Sequence, residues 1–407
     1  MRAIRVSLLV AAVLLASCSS HRHAVQRPWD LPYPPESEPA PDTIFHVPTG
    51  LEVSIDGMMD MLSGARLVCV GETHDSVHAH RVELLVIREL FRRFPGKVAI
   101  GMEMFRETQQ EALDRWTRGE LSEVQFLKES KWYSHWGSDF RYYREILEFA
   151  RDNRIDVIAL NPSKELQEAV SRGGIDNVSG ELRERLPEMG PSDPYQKASI
   201  HGVFGGHLPT EGMFESFFRV QMLWEESMAE RIVGYFRSDR GRDNRMVTIT
   251  GGWHVRHGFG VPKKVLRRMA MPYAIVLPEE ISVPEEKKDQ VMEVELPEIP
   301  LLPGDFAWMV TYEDLPERMR LGVRLEEKDG TLRVEAVDEG SPAEKAGVTP
   351  GSEIVSFDGE PVSDLTDLYY RLERKKEGDA GTLTVRRDGV EKKLAVDFFR
   401  YTRKKPH

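Results

Sequence analysis

The strongest constraint on the fold is a set of short apolar runs that each stop at a polar residue. Leu67-Val68-Cys69-Val70 passes through Gly71 to Glu72 and His74, and Val98-Ala99-Ile100-Gly101-Met102 reaches Glu103. Val157-Ile158-Ala159-Leu160 reaches Asn161, and Val247-Thr248-Ile249-Thr250-Gly251-Gly252-Trp253 reaches His254. Apolar runs without alternation suit strands covered on both faces, as in parallel sheets. Such sheets bind ligands outside the carboxyl ends of their strands. The coincident endings therefore put Glu72, His74, Glu103 and His254 forward as candidate catalytic or metal-binding residues, with Asn161 and Trp253 as pocket residues. The spacing Gly-x-x-His occurs twice, from Gly71 to His74 and from Gly251 to His254.

Helical patterns separate the runs. Leu84, Ile87, Leu90 and Phe91 share a face over residues 80–94, and Phe140, Tyr143, Ile146, Leu147 and Ala150 share another. Over residues 211–236 the stripe is Phe217, Gln221, Trp224, Met228 and Ile232, in which the amide of Gln221 is a further pocket candidate. This alternation predicts an α/β fold with a largely parallel sheet and helices on both faces.

A chain of 407 residues calls for more than one domain. Residues 1–17 carry Arg2 and Arg5 before an apolar stretch too short to span a bilayer, the pattern of an export signal. Leu15-Ala16-Ser17-Cys18 resembles a bacterial lipobox, which implies lipidation of Cys18, a cell-envelope location and, with Ser19 following, outer-membrane sorting. Residues 18–43 then read as a lipidated tether and residues 44–280 as the α/β domain, closed by a last strand over 273–277. Within it, residues 187–210, with His201 and His207, are an expected loop and candidate lid. A proline-rich linker over 281–305 precedes a second domain over 306–400. The net charge of −12 argues against a nucleic-acid partner, and two cysteines, Cys18 and Cys69, exclude a disulfide framework or a cysteine-based metal site.

The second domain carries Leu321-Gly322-Val323, then Gly340-Ser341-Pro342-Ala343, Ala346-Gly347, Gly351, Glu353-Ile354 and Asp358-Gly359. This series resembles the bacterial PDZ domain, a small, mostly β unit with short helices. The resemblance implies that the amides of Leu321, Gly322 and Val323 hold the C-terminal carboxylate of a peptide added to the sheet edge. Leu365, Leu368 and Leu372, at helical spacing, would line the side-chain pocket.

Carboxylates and imidazoles together suit a divalent metal such as zinc or manganese, which would activate water for hydrolysis. The chain contains no Gly-x-Ser-x-Gly elbow, P-loop or dinucleotide fingerprint, which argues against serine hydrolases and nucleotide enzymes. A family resemblance enters through Gly71-Glu72-Thr73-His74-Asp75, Gly101-Met102-Glu103-Met104-Phe105, Asn161-Pro162, Gln221 to Ala229, and Gly251-Gly252-Trp253-His254-Val255 with Gly260-Val261-Pro262. These motifs resemble the ChaN family of haem-binding, iron-regulated bacterial lipoproteins, which shares a superfamily with the Tiki and TraB proteins and the erythromycin esterases. The resemblance implies two functions from different classes. One is haem binding for iron uptake, with a second copy enclosing the porphyrin and an axial ligand open among Tyr133, His135, Tyr142, Tyr143 and His257. The other is metal-dependent, peptidase-like hydrolysis at Glu72, His74, Glu103 and His254, with protein C-termini presented by the PDZ domain.

Overall fold

The computed structural model describes residues 39–204, 208, 210–282, 297–328 and 330–401; the export signal, Cys18, most of the tether, His207 and much of the linker lie outside them. The chain divides into two units, one holding the chain to Glu120 with Ser138–Leu315, the other holding Leu121–Gly137 with the chain from Pro316 onward.

The first unit opens with β1 (Ile44–His46), β2 (Leu51–Val53), α1 (Ile55–Leu62), β3 (Leu67–Glu72), α2 (Val77–Arg93), β4 (Val98–Arg106) and α3 (Gln110–Thr117). The next two helices, α4 (Glu123–Glu129) and α5 (Trp132–His135), belong to the second unit. The first unit resumes with α6 (Arg144–Asp152), β5 (Asp156–Asn161), α7 (Lys164–Gly173), α8 (Pro194–Phe204), α9 (Glu211–Arg237), β6 (Arg245–Gly251), α10 (Val261–Arg268), β7 (Tyr273–Ser282) and β8 (Phe306–Thr311). The sheet order is β2-β1-β8-β7-β3-β6-β4-β5. Strands β8 through β5 in that order run parallel, and β1 and β2 add an antiparallel edge.

Strand β3 sits between β7 and β6 and is buried along its whole length, which explains its unbroken apolar sequence. Leu67 and Cys69 pack with Val220, Trp224, Met228 and Ile232 of α9, while the equally buried Val68 and Val70 alternate to the opposite face. Helix α9 is set by Thr210, whose side chain accepts from the Met213 amide, and the stripe Phe217, Trp224, Met228, Ile232 is buried as its spacing requires. Each such side chain contributes about 1.5–3 kcal/mol when fully buried.

Three expectations are corrected here. Residues 306–311, assigned to the second domain, are β8 of the first sheet, pairing with both β7 and β1. The first sheet therefore does not end at Leu277: β7 runs to Ser282, and Pro278 is accommodated in it because pairing with β3 stops at Val276. The expected loop over 187–210 contains the helix α8. Pro194 occupies its first turn, and Asp193 Oδ1 accepts from the amides of Tyr195 and Gln196 at 2.9 and 3.2 Å.

The second unit contains β9 (Val323–Lys328), β10 (Thr331–Val337), α11 (Pro342–Ala346), β11 (Glu353–Phe357), β12 (Glu360–Pro361), α12 (Leu365–Leu372), β13 (Ala380–Arg387) and β14 (Val390–Asp397). Its antiparallel sheet has the order β14-β13-β11-β10-β9, with β12 on β11, around a core that includes Leu321, Leu332, Ile354, Phe357, Leu368 and Phe398. Helices α4 and α5 pack on α12. Lys128 Nζ lies 3.1 Å from Asp364 and 2.8 Å from Asp367, and the rings of Tyr133 and Tyr369 meet edge to face at 5.1 Å.

Candidate functional site

The parallel register aligns Glu72 at the end of β3 with Gly251 at the end of β6. The two strand ends approach so closely that a Cβ on Gly71 would lie 2.8 Å from Val255 Cγ2 and 2.9 Å from Gly252 Cα. Gly251 is pressed against the imidazole of His74, its ideal Cβ position being 3.2 Å from Nε2. Its amide donates to Glu103 Oε2 of β4 at 2.7 Å. Asn161, at the end of β5, donates to the carbonyl of Glu103 at 2.7 Å. The sheet thus brings the expected polar residues to one edge, where all four of Glu72, His74, Glu103 and His254 are buried.

They separate into two clusters. In the first, Glu72 Oε1 accepts from His74 Nδ1 at 2.5 Å and from the Tyr143 hydroxyl at 2.8 Å. Glu72 Oε2 lies 3.0 Å from His80 Nδ1, which is also 2.9 Å from Glu83 Oε2. His80 Nε2 donates to the His74 carbonyl at 3.2 Å. Burial opposes charge throughout this cluster, but the facing imidazoles hold the Glu72 carboxyl well below the usual range. His80 is depressed by burial and raised by Glu72 and Glu83, with a net rise to about 10. Burial and the charge of Glu72 push Glu83 well above the usual range.

In the second cluster, His254 Nε2 lies 3.5 Å from Glu103 Oε1, and Nδ1 lies 3.2 Å from Glu225 Oε1 on α9. Glu225 Oε2 accepts from Lys264 Nζ and Gln196 Nε2, each at 2.7 Å. Burial works against both charges of the pair; the carboxylates still raise His254 to about 10, and His254 still lowers Glu103 to about 2. Gly260 makes this possible, since a Cβ there would lie 2.1 Å from the His254 carbonyl oxygen and 2.9 Å from Glu225 Oε1.

Sequence reasoning missed His80, Glu83, Glu225 and Lys264. The signal for His80 and Glu83 was present: they sit four residues before Leu84 and Ile87 on the apolar side of α2, where an imidazole and a carboxylate interrupt the stripe. Glu225 and Lys264 are joined by tertiary packing alone. Among the described residues, Glu72, His80 and Glu83 can offer three metal-ligating atoms within 4.8 Å of one another, and of these only Glu72 was expected.

Beside the second cluster stands an apolar wall. Ile200, Phe214, Phe217, Phe218 and Met222 form a buried group, against which the partly exposed Met189, Phe204, Leu208 and Trp253 pack. Gln221 is buried on the same helix and its Oε1 has no hydrogen-bond partner. Of the open axial candidates, Tyr143 donates to Glu72, Tyr142 donates to Asp314 and to the Asp75 carbonyl, and His257 Nδ1 donates to the Leu301 carbonyl. Tyr133 and His135 fall in the second unit.

The family model described as haem-binding uptake, Tiki superfamily, ChaN matches residues 58–265, more than half of the chain. The chain belongs to the ChaN family. A PDZ domain matches residues 319–398, the second unit's sheet. Among solved structures, ChaN of Campylobacter jejuni with cofacially bound haem is similar with a TM-score of 0.51 and 16% identity, over 67% of this chain and 98% of that one. At that identity the likeness is one of fold. The HtrA3 PDZ domain bound to a phage-derived ligand matches with 20% identity over 20% of this chain and 86% of that one, with a TM-score of 0.18. A probable CtpA-like serine protease of Staphylococcus haemolyticus is 32% identical over 77 residues, 19% of this chain. The chain spans only 16% of that relative's length.

In the PDZ domain Gly322 has φ +79°, and its ideal Cβ would lie 2.2 Å from Ser341 Cβ. Only glycine fits that turn. Val323 begins β9, an edge strand left open for pairing in this unit. Leu365 is partly buried against the core of this unit, whereas Leu368 and Leu372 are core residues.

Proposed function

We propose that the protein is an envelope lipoprotein that binds haem or haem iron for uptake through its ChaN domain and engages protein C-termini through its PDZ domain. The observation that carries the haem reading is the aromatic and methionine cluster of Phe204, Phe217, Met222 and Trp253, whose Trp253 shares a turn with His254 just after β6. A porphyrin needs apolar walls of this kind, with an iron ligand from Tyr or His, and when bound it supplies the iron to be carried. Enclosure by a second copy, lipidation at Cys18 and an outer-membrane location belong to the same reading. Titration of the full chain with haemin should give a saturable Soret shift at stoichiometric haemin, weakened about tenfold by Trp253→Ala. Absence of saturation would refute it.

The buried Glu/His clusters favour a second reading, hydrolysis at Glu72, His74, Glu103 and His254. Here a divalent ion would supply Lewis acidity and a bound nucleophilic water. Peptidase activity abolished by chelation and absent from His254→Ala would support it. For the PDZ domain, a peptide ending in a free carboxylate should bind the full chain at least tenfold tighter than its amide, and equal binding would remove the carboxylate-loop role of Leu321, Gly322 and Val323.

A further inference from the structure

We infer that Glu72, His80 and Glu83 form a buried site for one divalent first-row cation, with His80 binding through Nδ1 and each glutamate through one oxygen. The site does not depend on the haem reading, because its donors lie on β3 and α2, away from the aromatic wall on α8 and α9.

Three observations converge. First, the tautomer is set: His80 Nε2 donates to the His74 carbonyl at 3.2 Å, which turns Nδ1 toward two carboxylates. A metal-bound histidine is fixed in the same way, by donating its other nitrogen to a carbonyl. Second, the donor spacing fits. Nδ1 lies 3.0 Å from Glu72 Oε2 and 2.9 Å from Glu83 Oε2. An ion with bonds of about 2.0–2.1 Å at right angles holds neighbouring donors roughly 2.9 Å apart. Both distances from Nδ1 suit such neighbours, all three donor atoms lie within 4.8 Å of one another, and one nitrogen with two oxygens suits manganese or ferrous iron. Third, the surroundings are incomplete without a cation. Glu72 Oε1 is held by His74 and Tyr143, which aims Oε2 at the triad. Neither Glu72 Oε2 nor Glu83 Oε1 receives a well-formed hydrogen bond, although both side chains are fully buried. A bound ion would displace the protons held between His80 and the carboxylates, leaving a neutral imidazole and two carboxylates whose charge a divalent ion cancels.

The test is metal stoichiometry on the full-length chain. Protein stripped with chelator and dialysed against Mn(II) should hold one ion per chain by elemental analysis, and the Mn(II) electron-spin signal of the dialysate should fall accordingly. Glu83→Gln, which keeps the shape of the side chain, should weaken binding at least tenfold, while Glu103→Gln should keep the ion. Should Glu83→Gln fail to fold, anomalous diffraction of the Mn(II)-soaked native protein reads the same point, with a peak between His80 Nδ1 and the two carboxylates. No stoichiometric ion in the native chain, or an ion lost in Glu103→Gln and kept in Glu83→Gln, would overturn the assignment. Haemin binding is read separately, so either result leaves the haem titration interpretable.

Discussion

The two Gly-x-x-His motifs begin alike and end differently. From Gly251, the chain delivers His254 to a cluster that contains its own fixed cation: Glu103 and Glu225 are answered by His254 and by Lys264, which is 4% exposed and bonded to Glu225 at 2.7 Å. From Gly71, the chain delivers Glu72 and His74 to a cluster with a second carboxylate, Glu83, in which the imidazoles of His74 and His80 face the carboxylates. One cluster is closed by a lysine together with an imidazole, the other by imidazoles whose protons an ion could replace. Equal spacing in sequence therefore does not mean equal roles: a lysine of α10 joins His254 against the carboxylates in one case, and the imidazoles of His74 and His80 face them in the other.

The largest expected effect tests the lysine. Lys264→Met strands Glu225 in the core, and urea unfolding should show a loss of about 3–5 kcal/mol. Adding Glu225→Gln to it should restore a large part of that loss, since the double variant no longer buries an unpaired charge. If Lys264→Met alone unfolds at the native urea midpoint, the second cluster is not closed as described.

An intermediate effect is expected from pH. The raised His254, near 10, stabilises the fold fully below its ordinary value of 6.5 and loses that contribution as pH climbs toward 10. The lowered Glu103, near 2, stabilises fully above 4.5 and loses its contribution as pH falls toward 2. Thermal melts should therefore plateau between about pH 4.5 and 6.5 and decline on both sides, and the alkaline decline should shrink in His254→Gln. A native profile flat from pH 5 to 10 would break the pairing.

The smallest effect belongs to the first cluster. Burial and the charge of Glu72 favour the protonated form of Glu83, which Gln mimics in shape, so Glu83→Gln in chelator should cost about 1 kcal/mol or less by chemical denaturation. A loss as large as that of Lys264→Met would mean that the two clusters are charged alike.

What the sequence revealed follows from how locally each feature is encoded. Buried parallel strands are apolar along their length, so β3, β4, β5 and β6 and their polar ends could be read directly. The PDZ turns need particular residues, such as Gly322 at φ +79° and Gly347 at φ +85°, and those leave a pattern too. By contrast β8 follows Pro297, Pro300 and Pro303, a punctuation that reads as a domain break, and only the unpaired edge of β7 decides that it joins the first sheet. Lys264 was hidden for a similar reason: on α10 it is one basic residue among Lys263, Arg267 and Arg268, and only packing on α9 distinguishes it. The membership of α4 and α5 in the second unit rests on pairs such as Lys128 with Asp367, which no local spacing announces.

That last feature bears on how the chain is made. Helix α4 leaves the ribosome together with the strands of the first sheet, yet the helix it packs on, α12, is among the last segments to be synthesised. At about 5–20 residues per second the delay is on the order of ten seconds or more. During that interval the helix on which α4 and α5 pack does not yet exist. Two helices made early in translation thus belong to a unit completed only at its end, and a gene truncated after residue 315 would never supply the helix they pack on.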